Sequence, residues 1–162
     1  MAGADLLGDG NVAVIFALSV ASISAPTASE CNGGTALQEF ITKEGLQIEA
    51  EQEAVDNTAL ASRSETEDAG TTKYQIELTV KRKEVPAEDV GYNTLVAGQL
   101  GYLIVRRDKA HETTFAADDR VEVYPVRCGT QRDQPPELNT PQTFMIKLFN
   151  HTAPDTRAVV AA

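Results

Sequence analysis

At 162 residues the chain has room for one hydrophobic core and not for two. Its 42% apolar content is ordinary, but 24 Asp and Glu against 14 Lys and Arg give a net charge of −10, and a surface so acidic repels the phosphates of nucleic acid and of anionic lipid. The first 70 residues hold twelve acidic and two basic residues and carry the whole imbalance. The composition argues against gripping DNA, yet it suits a passage through which DNA slides without sticking.

Val12, Val14, Phe16, Leu18 and Val20 fall on one face at period two, with Ala13, Ala17 and Ser19 on the other, which predicts a buried strand. The apolar run Val12–Ile23 is short for a membrane span, and the segment before it has Asp5 and Asp9 but no Lys or Arg, the reverse of a signal peptide. Pro26 suits the first turn of a short helix that ends at Asn32-Gly33-Gly34. Leu37–Thr42 has no decisive periodicity and is open to a strand. After a turn at Lys43-Glu44-Gly45, Leu46, Ile48 and Ala50 alternate with Gln47, Glu49, Glu51 and Glu53, so this strand is apolar on one side and acidic on the other. Ser62–Thr72 is polar, with Gly70 as a breaker, and predicts a projecting loop. Tyr74, Ile76, Leu78 and Val80 then alternate with Lys73, Gln75, Glu77, Thr79 and Lys81, the clearest strand of the chain and the natural antiparallel partner of Leu46–Glu53.

Pro86 opens a second helix, with Val90, Leu95 and Val96, that Gly98 closes. Strands follow at Leu100–Arg106, Arg120–Arg127, Gln142–Phe149 and Arg157–Val160, with Pro125 marking an edge or a bulge. Gln134-Pro135-Pro136-Glu137 reads as a turn or an extended arm. The total is an all-β or β-rich chain, a sandwich or barrel with one or two short helices, forming a single domain over residues 1–162 with extended termini at 1–10 and 151–162.

Catalytic patterns are missing: there is no nucleophile elbow, no glycine-rich phosphate loop and no metal motif, and no cofactor is implied. Cys31 and Cys128 read as buried free thiols, and His111 and His151 as solvated surface residues. Asp118-Asp119 and Asp5 with Asp9 lack the spacing of a calcium loop and read as solvated turn residues. Lys81-Arg82-Lys83 is too small a basic cluster to hold nucleic acid and is expected to pair with Glu84, Glu88 and Asp89, or across subunits.

Asn93-Thr94-Leu95-Val96-Ala97-Gly98 with Gly101–Arg106, then Asp119–Val126 leading into Gly129-Thr130-Gln131-Arg132-Asp133-Gln134-Pro135-Pro136-Glu137, resembles segments of the tail-tube (major tail) proteins of siphoviruses that infect actinobacteria. The resemblance is close over residues 90–162 and only in outline over residues 1–89. It implies a non-enzymatic subunit of the virion tail, assembled in the bacterial cytoplasm into stacked, hexameric rings around a tape-measure protein. A tail terminator and tail-tip proteins would bound the tube, and the genome would pass through it without specific binding. In that setting Glu49, Glu51 and Glu53, with Gln75 and Glu77 of the partner strand, would face the lumen, and Ser64, Glu65, Glu67 and Asp68 would belong to a loop that contacts a neighbouring subunit. A sheet facing bulk water would show the same acidic alternation. A tail terminator or head-tail connector, which forms a single ring, is the nearest rival, and a secreted β-sandwich binding module is the next.

Overall fold

The computed structural model describes residues 3–162, so residues 1 and 2 of the N-terminal arm lie outside it. Strands β1 (Ala13–Ala17), β2 (Thr35–Ala36), β3 (Ile41–Asp56), β4 (Glu67–Lys81), β5 (Leu100–Arg106), β6 (Arg120–Cys128), β7 (Arg132–Asp133), β8 (Thr143–Asn150) and β9 (Asp155–Val159) form one antiparallel sheet of nine strands. Two short helices, α1 (Ala28–Gly33) and α2 (Val90–Thr94), pack outside it. The sheet runs β2-β1-β5-β6-β8-β4-β3, with β9 beside β6 and β7 beside β8.

Strand β6 changes partner along its length. Arg120, Val121 and Val123 pair with β9, whereas Val126, Arg127 and Cys128 pair with β8. Pro125 lies where one partnership gives way to the other. Its carbonyl accepts from the His151 amide at 3.3 Å and from Asn150 Nδ2 at 2.9 Å, so its nitrogen points into the same junction, where no ladder bond is lost. The proline therefore marks a seam within a central strand and not an edge.

This switch lets the sheet fold into two layers, β2-β1-β5-β6-β9 and β8-β4-β3 with β7. Between them lies one core, with Val14 and Phe16 of β1, Leu103 and Val105 of β5, and Tyr124 and Val126 of β6 on one side; Ile76, Leu78 and Val80 of β4 and Phe144, Ile146 and Leu148 of β8 lie on the other. Gly101 is needed there, because a Cβ would stand 2.4 Å from the Phe16 ring. The opposite face of the first layer is covered too: Ala13, Ile15, Ile104, Val121 and Val123 pack against Cys31 of α1, Phe115, Val160 and Ala158. Strand β1 is thus buried on both faces, and it ends at Ala17, leaving Leu18, expected on the buried face, 68% exposed.

Several local expectations change. Lys43-Glu44-Gly45 is not a turn but an irregularity inside β3, between the pairs Ile41–Val80 and Leu46–Leu78. A Cβ on Gly45 would lie 2.5 Å from the Thr79 carbonyl oxygen, which is why the strands close up there. The second predicted helix is broken into a turn of 3₁₀ helix at Pro86–Glu88 and α2. Of the acids near Lys81-Arg82-Lys83, it is Asp89 that pairs, receiving Arg82 Nε at 2.7 Å while the guanidinium lies 3.6 Å above the Tyr92 ring. The strand expected at Arg157–Val160 is present as β9, and by pairing with β6 and burying Ala158 and Val160 it ties to the body a terminus that was also expected to extend as an arm. Cys31 and Cys128 are buried, unbridged and on opposite faces of the first layer, and burial pushes both thiols up to about 11.

Asp119 is the largest departure, because it is buried and charged where a solvated turn residue was expected. Arg106 Nη1 reaches it at 3.2 Å from a fully buried side chain, and Lys109 and the Ala116 amide also donate to it. The other end of the guanidinium donates to the carbonyls of Thr113 at 2.6 Å and Ala110 at 3.1 Å, and its plane lies 4.3 Å from the Phe115 ring. Burial alone pushes the Asp119 carboxyl up, but the Lys109 and Ala116 hydrogen bonds and the two cations outweigh it and hold it below the usual value. Its contribution to stability is therefore present above the unfolded value of about 3.9 and is lost as pH falls through the lower folded value. Asp119→Ala leaves Arg106 buried without its partner, and a loss of about 3–5 kcal/mol is expected in urea unfolding at neutral pH. The deficit relative to the unaltered chain should shrink as pH drops below about 4.

Candidate assembly surface

The second layer is uniformly apolar only on the side that meets the first. Its other face carries Gln47, Glu49 and Glu51 of β3, Lys73, Gln75, Glu77 and Thr79 of β4, and Met145, Lys147 and Phe149 of β8, in the alternation set by strand geometry. The register brings Glu49 opposite Gln75 and Gln47 opposite Glu77, and Gln75 Nε2 reaches Glu51 at 3.4 Å. Four of the five residues predicted for this face are therefore in one patch. Glu53 is further along β3, beside the register shift between Gln52 and Ala54. The face is not uniformly acidic: Arg132 of β7 pairs with Glu77 at 2.5 Å, and Lys147 is the direct cross-strand neighbour of Glu77. Lys147, Met145 and Phe149 were missed as members of this face, although their alternation with Phe144, Ile146 and Leu148 was legible.

The same two strands continue past the body. Strand β8 pairs with β4 only from Ile76 to Lys81, yet β3 and β4 go on pairing with each other as far as Asp56 and Glu67. From Ala50 outward the ribbon extends about 20 Å before its tip, at about 3.3 Å per residue. The projecting feature is thus a two-stranded ribbon with a tip at residues 57–66, and not the loop expected over Ser62–Thr72. Ser64 and Glu65 lie in the tip, whereas Glu67 and Asp68 belong to β4; all four are exposed. The tip is held by short-range bonds: the Asn57 amide donates to the Thr66 carbonyl at 3.2 Å, the Thr58 amide to Asp56 at 2.9 Å and the Thr66 amide to Thr58 Oγ1 at 2.9 Å. At its apex Leu60 is wholly exposed.

A ribbon of two strands with no apolar face against a core is marginal in water. Strand β3 is also an outer strand of its layer, with one row of backbone groups unpaired by any other described strand. Among the described residues no group of three or more His, Cys, Asp or Glu is placed to hold a metal ion, and no helix is long and apolar enough to cross a membrane. What the fold presents is surface: a bare polar sheet face, an open strand edge and a ribbon without a core. These define a β-sandwich whose distinctive features are exposed surfaces and not a cleft.

A family model described as phage tail tube protein matches residues 1–162. The chain belongs to the phage tail tube protein family, whose members are structural components of the virion tail. Among solved structures it is similar to a chain of the virion of a native gene transfer agent (GTA) particle, with a TM-score of 0.50 and 10% identity over 91% of this chain and 95% of that one. At that identity the likeness is one of fold. No curated protein sequence matches the chain.

The ribbon can be tested by itself. Replacing residues 53–71 by Asn-Gly, which joins the paired positions Gln52 and Thr72 through a tight turn, removes no residue of either core. Urea unfolding of the shortened chain should give a stability within about 1 kcal/mol of the original.

Proposed function

We propose that the chain acts as one domain that assembles into stacked, hexameric rings, and that the stack is the conduit through which phage DNA leaves the particle. The observation that carries this reading is the β3–β4 ribbon, a long ordered segment that beyond the body pairs, among the described residues, only with itself. Ordering it costs conformational entropy that contacts in the monomer do not offset, and a neighbouring subunit supplies the missing contacts. The open edge of β3 supports the same reading, since closing strands around a ring gives each edge a partner. In this reading a tape-measure protein lies inside the tube, a terminator and tail-tip proteins bound it, and the subunits assemble in the bacterial cytoplasm; membership of the tail tube family supports it. The role is structural and not enzymatic.

In this assembly Glu49, Glu51, Glu53, Gln75 and Glu77 face the lumen. The bare face is the only side of the two-layer body that no apolar layer or helix covers among the described residues, and polar groups can stay hydrated there. Three glutamates toward the ribbon keep passing phosphates from being captured, while Lys147 and Arg132 are occupied in part by Glu77.

Negative-stain images of the purified protein should show filaments with a constant axial repeat, and the chain shortened at residues 53–71 should remain folded but form none. Single rings alone would point instead to a terminator or connector. For the lumen, changing Glu49, Glu51 and Glu53 together to Lys should permit tubes but slow genome ejection from phage, with a defect that eases as salt rises, because screening weakens capture beyond about 8 Å at physiological ionic strength. Ejection at the normal rate at every salt concentration would place this face outside the tube.

A further inference from the structure

Resting on the tube reading, we propose that the ribbon tip of one subunit docks in a groove at the opposite end of β4 in the subunit stacked beyond it. The groove has a volume of about 590 Å³ and lies where the bare face runs out, beside Thr79 and Lys81. Ile41, Met145 and Pro141 give it an apolar floor, and Lys43, Lys81 and Glu137 stand around it. Neither lysine has an acidic partner within ion-pair distance among the described residues.

Topology selects this groove as the receptor. The ribbon leaves the body at the Tyr74 end of β4, and the groove lies at the Lys81 end of the same strand. Subunits stacked head to tail place the departing end of one against the far end of the next. The two surfaces also match chemically. Ala59-Leu60-Ala61 at the tip is a small apolar knob, with Leu60 wholly exposed; Glu65 of the tip and Asp56, Glu67 and Asp68 of the strands behind it stand around it against a single Arg63. An apolar knob with an acidic collar fits an apolar floor with a lysine rim. Leu60 gains the burial that it lacks in the monomer, and the lysines gain partners at a site that assembly partly desolvates.

Two sets of variants of the full chain test the contact. Lys43→Glu with Lys81→Glu should stay folded by circular dichroism but form no filaments at a concentration where the unaltered chain polymerises. Adding Glu65→Lys with Glu67→Lys should restore them. Independently of any effect on folding, Leu60→Cys with Met145→Cys should give a ladder of disulfide-linked subunits when filaments are oxidised, and neither single change should do so; Cys31 and Cys128 are buried and silent. Filament growth undiminished by the lysine reversal, failure of the compensating pair to restore it, or filaments of the double-cysteine chain without a ladder would each overturn the docking proposal. Failure of the unaltered chain to polymerise would instead overturn the tube reading itself.

Discussion

A strand offers two faces, and a two-layer sheet therefore has four to account for. In this chain three are buried: the two that meet in the central core and the outer face of β1-β5-β6-β9, which α1, Phe115 and the C-terminal residues cover. The fourth, on β3-β4-β8, is left polar. That asymmetry orders the rest of the structure. The first layer reads as near-continuous apolar runs, the second as strict alternation, and six of the twelve acidic residues among the first 70 fall on the element that projects from the second.

Covering the outer face of the first layer depends on a long connection being held down. The thirteen-residue segment between β5 and β6 has few apolar residues with which to do this; Phe115 is its one large apolar contribution. Arg106 supplies the remainder by donating to the carbonyls of Ala110, Thr113 and Thr114 and to Asp119, so that one buried cation gathers four points of the loop. The arrangement fixes a conformation more than it adds stability, since a buried pair recovers much of its Coulomb energy only to offset desolvation. Phe115, stacked on that guanidinium, is thereby placed over the sheet.

The parts legible in the sequence were those governed by period two and by caps. Tyr74–Val80 was clear because Ile76, Leu78 and Val80 meet the core while their neighbours do not. The helix after Pro26 was equally plain, and Thr27 with Glu30 caps its N-terminus by a reciprocal capping box. Residues 67–72 were misread because nothing apolar marks a strand whose two faces both meet water; pairing with Val55 and Ala54 is a property of the hairpin, invisible in composition. Asp119 was misread for a related reason, as its partners Arg106 and Lys109 come from the preceding strand and loop. Pro125 illustrates a rule that was sound and incomplete: a proline needs a missing partner, and a junction between two partners provides one inside a sheet as well as an edge does.

The register shift in the ribbon reaches beyond its own neighbourhood. Gln52 pairs with Thr72 but Ala54 with Ala69, so β4 spends one more residue than β3 in crossing that point. Odd-numbered residues of β4 point to the bare face in the body, whereas beyond the shift it is the even-numbered Asp68, opposite Val55, that does so. The ribbon's length is separate from the body's packing, since no residue of 53–71 belongs to either core. Residues added or removed in matched pairs, one per strand, leave the body untouched; one such pair turns the tip over, and a second turns it back. Related chains can therefore change their reach in steps of two residues per strand while presenting the same side of the tip.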